Sequence, residues 1–316
     1  MKVRFWGTRG SIPVSLTADH IRAKLITALS QLQTLPRDMD EVETYVDGLD
    51  FAVRGTYGGH SSCVEIEHRN EVFILDMGSG ARALGQALLA RYGAKQRRTY
   101  HVFISHLHWD HIMGLPFFAP AYITSNRIII HGCHGALEMA FHRQQDAPSF
   151  PVDFGSLGAH IEFDVIEPGR RFAIADFSIS AMLQRHGGDS YGWRFEQGGK
   201  TVVYSTDSEH RVEDVGERAA FTEFFRNADL VIFDAMYSLA DAISVKADWG
   251  HSSNITGVEL CQLANAKKLC LYHHEPAYDD RQIAGVLEET RRFEALTRNG
   301  ATLEVLSAYD GLELEP

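Results

Sequence analysis

Ser105-His106-Leu107-His108-Trp109-Asp110-His111 is the stretch from which the rest of the chain is read. It follows the apolar run His101–Ile104, which has the composition of a strand. Only 16 of the 316 residues are histidine, so three of them with an aspartate in so short a span are not decoration. Side chains two apart at the end of an extended strand point the same way, so His106 and His108 can take one metal ion. The chain then turns, and Asp110 and His111 can take a second one close by. Imidazole with carboxylate suits zinc and, less exclusively, manganese or iron.

Outward from this stretch, short apolar runs of strand type recur at Val3–Trp6, Cys63–Ile66, Val72–Leu75, Arg127–Ile130, Val202–Tyr204, Leu230–Phe233 and Leu269–Tyr272. Helical patterns lie between them. Ala81–Arg91 carries Leu84, Leu88 and Leu89 on one face, Asn254–Ala264 behaves similarly, and Asp279–Arg298 opens on an aspartate able to cap it. Sheets flanked by helices follow, read as one domain over residues 1–316 with no linker or repeat. A helical insertion is expected at about residues 16–56, between the turn-rich GTRGSIPV and TYGGHSS. Its Ile21, Leu25, Ile26, Leu29 and Leu32 recur at helical spacing, which fits an amphipathic helix packed on its own domain, a lid or a homodimer contact.

Composition narrows the functions. Acidic residues number 42 against 30 basic ones, a formal charge of −12. That charge argues against a grip on long nucleic acid or on an anionic membrane, and leaves room for a small anionic substrate. The four cysteines form no CxxC pair and suit a reducing cytosol. The start, MKVRFWGTRGS, has no long apolar region, and the longest uncharged apolar stretch, near 115–123, is too short to span a bilayer. A cytoplasmic protein is expected.

HLHWDH resembles the HxHxDH signature of the metallo-β-lactamase superfamily, which implies an α+β four-layer αββα sandwich of two mixed sheets, with one or two metals at the edge between them. FWGTRGSIP is similar to the opening of the ribonuclease Z and phosphodiesterase branch, and LDMGSG to the superfamily's strand-ending Asp-x-Gly element at Asp76. RHGGDSYGWRFE resembles the branch's element that brings in His186, VVYSTDSE the one that supplies Asp207, and DWGHSS the His-Ser-[Ser/Thr] element at His251. KLCLYHHEP looks like the last ligand element. Alignment on its strand and proline selects His273 over His274, and neighbours on a strand face opposite ways, so only one of the two reaches the metals.

The resemblance therefore implies His106, His108 and His186 on one metal, Asp110, His111 and His273 on the other, and Asp207 between them, with a water bridging two divalent ions, Zn2+ before Mn2+ or Fe2+. Asp110 and His251 are expected to be the catalytic residues, His251 facing substrate without binding metal. Asp76 is expected to fix a ligand imidazole from behind. Trp109, set between ligands, either stacks on a substrate base or packs beneath the loop. Arg9, Arg54 and Arg185 are candidate phosphate contacts or plain surface charges. Hydrolysis is the expected chemistry.

The stretch from His186, His-Gly-Gly-Asp-Ser-Tyr-Gly-Trp-Arg, resembles the phosphodiesterase side of the superfamily rather than the lactonase side. Only 21 positions separate His186 from Asp207, too few for the tRNA-grasping arm of many ribonuclease Z enzymes. A phosphodiesterase acting on a small cyclic nucleotide or cyclic phosphate is the expectation. Hydrolysis of a lactone, thioester or other ester, tRNA 3′ processing, and a non-enzymatic metal-binding role are the alternatives.

Overall fold

The computed structural model describes residues 1–68, 71–211, 214–238 and 250–316, so Asp248 and Trp249 of the DWGHSS element lie outside the described residues. Strands β1 (Lys2–Gly7), β2 (Cys63–His68), β3 (Glu71–Leu75), β4 (Thr99–Phe103), β5 (Arg127–Gly132) and β6 (His160–Val165) form one sheet. Strands β7 (Arg171–Ile174), β8 (Phe177–Gln184), β9 (Ser190–Gln197), β10 (Lys200–Ser205), β11 (Leu230–Asp234), β12 (Lys268–Tyr272) and β13 (Glu304–Ser307) form the other, and β14 (Glu313–Leu314) returns to pair with β1. The pairing scheme repeats. In the first sheet β14-β1-β2-β3 are antiparallel and β3-β4-β5-β6 parallel. In the second, β7-β8-β9-β10 are antiparallel and β10-β11-β12-β13 parallel.

The central strands are legible as unbroken apolar runs because both of their faces are covered. On β3, Phe73 and Leu75 join the core between the sheets, with Phe177, Trp193, Phe195 and Tyr204. The alternate residues Val72 and Ile74 pack outward on Leu84 and Leu88 of α4 (Ala81–Tyr92). On β10, Val202 and Tyr204 point inward while Val203 meets Phe221 and Phe225. This is an αββα sandwich. No helix among the described residues is long and apolar enough to cross a membrane.

Between β1 and β2 stand α1 (Ala18–Ser30), α2 (Met39–Asp47) and α3 (Phe51–Arg54). The reading of α1 as a helix packed by its apolar face is reversed. No residue of α1 is buried, and Leu25 and Leu29 are 59% and 69% exposed. The helix is held instead by Lys24, which pairs with Asp280 at 2.6 Å and donates to the carbonyls of Ala52 and Gly55, and by Thr27, which accepts from Arg281. Lys24, Thr27 and Ala28 share one face, so polar groups that satisfy each other turn inward and the leucines turn out.

His210 packs on Phe221 and Phe233 at ring distances of 4.1 and 5.1 Å, with both ring nitrogens buried and without a hydrogen-bond partner. Burial, against the weaker pull of Asp234, pushes its pKa down to about 3. The unfolded imidazole titrates near 6.5, so below that pH the unfolded chain binds a proton that the folded one refuses. Stability is lost as pH falls from 6.5 towards 3, by about 1.4 kcal/mol per pH unit for this group. Urea unfolding of His210→Phe at pH 7, 6 and 5 should show a shallower acid loss than the parent by that slope. Parallel losses would mean that His210 does not stay neutral in the fold.

Candidate metal centre

The site lies where the parallel strands of both sheets end, the edge at which open α/β sheets place their ligands. Asp76 follows β3, the Ser105–His111 stretch follows β4 and turns into the short α5 (Trp109–Ile112), and His186 sits in the β8–β9 turn. Asp207, Asp234 and His273 stand at or just past the ends of β10, β11 and β12. Asp76, Asp207 and His273 all have left-handed backbones, with φ of 58°, 45° and 60°. Non-glycine residues hold such angles only where their surroundings impose them, at a cost of about 1–3 kcal/mol each.

Two trios meet here. His106, His108 and His186 bring ligand atoms within 4.8 Å of one another, and so do Asp110, His111 and His273. Asp207 stands between the trios. Its Oδ2 faces His106 Nε2 at 3.6 Å and His186 Nε2 at 3.8 Å, whereas its Oδ1 faces His111 Nε2 at 3.3 Å and His273 Nε2 at 3.2 Å. Asp110 Oδ2 lies 3.1 Å from His111 Nε2 and 3.6 Å from His273 Nε2.

The donor atoms fit divalent cations. His106 Nε2, His111 Nε2, His273 Nε2 and Asp110 Oδ2 are buried and make no hydrogen bond. Buried polar atoms left unpaired cost about 1–3 kcal/mol each, so a cluster that aims four of them at one another needs a cation to complete it. The neighbours fix the tautomers that such binding requires. His111 Nδ1 donates to Asp76 Oδ2 at 2.7 Å, His186 Nδ1 donates to the Gly250 carbonyl at 2.7 Å, and His106 Nδ1 meets Ser105 Oγ at 3.1 Å, which turns each Nε2 towards the cluster. Asp76 also accepts from the Ser105 amide and hydroxyl and from the Tyr204 hydroxyl, so its carboxylate is spent on support. Although burial opposes the charge, the surrounding imidazoles hold Asp110 and Asp207 well below the usual carboxylate range.

The adjacent histidines separate just past the end of β12, where His273 has its left-handed backbone. His273 enters the cluster against Gly10, where a Cβ would come 2.7 Å from its ring. His274 turns away, with Nε2 donating to the Ala308 carbonyl at 2.8 Å, and burial pushes its pKa down to about 4. His251 reaches the same edge, its ring 5.1 Å from that of His186 and 5.2 Å from that of His273. Its Nδ1 lies 2.8 Å from Asp234 Oδ2. Burial pushes its pKa down, but Asp234 outweighs this and raises it to about 9.

Asp234 is the residue of this candidate site that the sequence reading missed. Fully buried, it also accepts from the amides of Ser208 and Met236. The available signal was a strand-type run, Leu230–Phe233, that ends on an aspartate as the run before Asp76 does.

The arginine expectations resolve separately. Arg9 is neither a phosphate contact nor a surface charge: it is 2% exposed and donates to the carbonyls of Gly58, Glu275 and Tyr278. Arg54 lies beside Asp47 at 3.9 Å and Arg185 pairs with Glu217 at 3.2 Å. Trp109 does not pack beneath its loop, being 63% exposed.

A family model described as a beta-lactamase superfamily domain matches residues 73–274. A ribonuclease Z from Acaryochloris marina is 24% identical over 277 residues, covering 72% of this chain and 84% of its own. Among solved structures, the metallo-beta-lactamase fold protein YhfI from Bacillus subtilis aligns with a TM-score of 0.64 at 18% identity, over 100% of this chain and 99% of its own. Human tRNase Z, short form, aligns with a TM-score of 0.61 at 20% identity, again over 100% and 99%.

Proposed function

The chain belongs to the beta-lactamase superfamily, and from that membership we propose that it is a hydrolase using two divalent metals to cleave a small phosphodiester. The observation that carries the dinuclear reading is Asp207, which turns one carboxylate oxygen to each trio of donors. His106, His108 and His186 would hold one ion, Asp110, His111 and His273 the other, and Asp207 both. A mixed imidazole and carboxylate set suits Zn2+, then Mn2+ or Fe2+. Bound there, paired cations supply Lewis acidity and an acidified water.

The chain's own groups do the rest. Asp76 and the Gly250 carbonyl keep His111 and His186 in the tautomers that aim Nε2 inward. Asp234 holds Nδ1–H of His251, which leaves the far nitrogen of that ring to carry a proton to the departing alkoxide. An imidazolium stabilised by a buried carboxylate is a positioned general acid.

The name of the ribonuclease Z relative supports a phosphodiester over a lactone or β-lactam, since RNA is joined by that bond. The same name favours a second reading, an RNA substrate. Against it stand the charge of −12 and the direct route from His186 to Asp207, where β9 and β10 are joined by the tight Gly198–Gly199 turn with no arm between them. Turnover of bis-p-nitrophenyl phosphate should vanish on chelation and return when Zn2+ is restored. It should exceed that of an acyl-homoserine lactone and of a β-lactam in kcat/KM. Faster lactone hydrolysis would overturn the assignment, and faster cleavage of a 3′-extended tRNA would replace it with the second reading.

A further inference from the structure

Beside the metal centre runs a groove of about 760 Å³ whose wall includes Trp109, Met113, Phe117, Met139 and Phe150. Its lining residues Leu107 and Trp109 alternate along the chain with the proposed ligands His106, His108 and Asp110, which sets the groove next to the site. Trp109, Phe117 and Met139 are 63%, 54% and 63% exposed, a concentration of large apolar surface that solvent alone does not explain. Phe117 and Phe150 meet edge to face at 5.7 Å, leaving ring surface along the groove.

Gln144, the last residue of α6 (Leu137–Gln144), also lines it. Both atoms of its carboxamide, Nε2 and Oε1, are buried and have no hydrogen-bond partner. An unpaired buried amide is costly, and an alkyl or acyl chain in the groove would leave it unpaired. A phosphate would satisfy its donor and confront its acceptor. What satisfies both atoms beside an aromatic wall is a flat ring with an adjacent donor and acceptor on one edge, the pattern of adenine N6 and N7 towards a glutamine.

We propose that this groove takes a nucleobase of the substrate, Trp109 stacking on its face and Gln144 pairing with its edge. This rests on the phosphodiesterase reading and makes the substrate a nucleotide ester, free or at the end of an RNA.

The test uses the metal-loaded enzyme and two diesters with one leaving group, the p-nitrophenyl ester of adenosine 5′-phosphate and methyl p-nitrophenyl phosphate. The parent should prefer the first in kcat/KM, and in Gln144→Leu and Trp109→Ala that preference should fall roughly tenfold. A merely structural role would slow both substrates alike and leave the ratio unchanged, which would overturn the proposal, as would equal kcat/KM in the parent. Short RNAs with adenine or uracil beside the scissile bond form a second arm: an adenine preference that Gln144→Leu abolishes there as well extends the groove to a polymer end, and its absence there confines the groove to a free nucleotide ester. If no diester is cleaved, the phosphodiesterase reading fails on its own. Calorimetry then decides the groove, which must bind adenosine 5′-phosphate more tightly than ribose 5-phosphate and lose that difference in Gln144→Leu.

Discussion

Asp207→Ala should lower bound metal from two ions per chain to one or fewer and cut phosphodiester turnover by about 10³-fold or more. Its carboxylate touches neither trio alone, with Oδ2 towards His106 and His186 and Oδ1 towards His111 and His273. Without it, each ion loses a ligand and the site loses the negative charge that offsets two dications. Paired ions contribute several kcal/mol of transition-state stabilisation, and each 1.4 kcal/mol is a factor of ten, which sets the size of the loss. Metal content by mass spectrometry under native conditions and kcat/KM on one diester measure the two effects together. Full activity with one ion per chain would sink the bridged-pair assignment.

His251→Ala should keep its metals and lose roughly 10²–10⁴-fold in kcat for an ester with a poor leaving group, the range of a positioned general acid. The loss should be smaller with p-nitrophenolate, which departs without a proton. Asp234→Asn tests the same device from behind, because it keeps the side-chain shape and removes the charge that holds His251 Nδ1–H. It should share the leaving-group dependence. Equal losses for good and poor leaving groups would reassign His251 to gripping a phosphoryl oxygen. Lost metal would make it a ligand, an outcome that its closeness to His186 and His273 allows to be measured directly.

The part of this site legible in sequence was the part that is local. His106, His108, Asp110 and His111 are brought together by one strand end and one turn, so residue type and spacing carry the geometry. His186, Asp207 and His273 come from other strands, and only likeness to family elements linked them. Asp234 lacked even that, since one aspartate after an apolar run reads as a turn. Among the strands, β3, β10, β11 and β12 were visible because both faces are covered. β7 and β8, which mix buried and exposed positions, carried no such run. The packed reading of α1 fails for a physical reason: amphipathic patterning assumes that apolar means inward, whereas the pairing of Lys24 with the buried Asp280 reverses that order. Arg9 failed similarly, because a guanidinium can be satisfied by three backbone carbonyls as well as by a phosphate.

The repeated strand scheme has one further consequence. The proposed ligands come from both repeats for each ion: His106 and His108 from the first sheet with His186 from the second, then Asp110 and His111 from the first with His273 and Asp207 from the second. A bound ion is thus a clasp closing one half of the sandwich on the other. Free metal would then be a folding ligand whose concentration sets how firmly the two halves are held together, and thermal unfolding at rising Zn2+ should show stability growing as RT ln(1 + [M]/Kd).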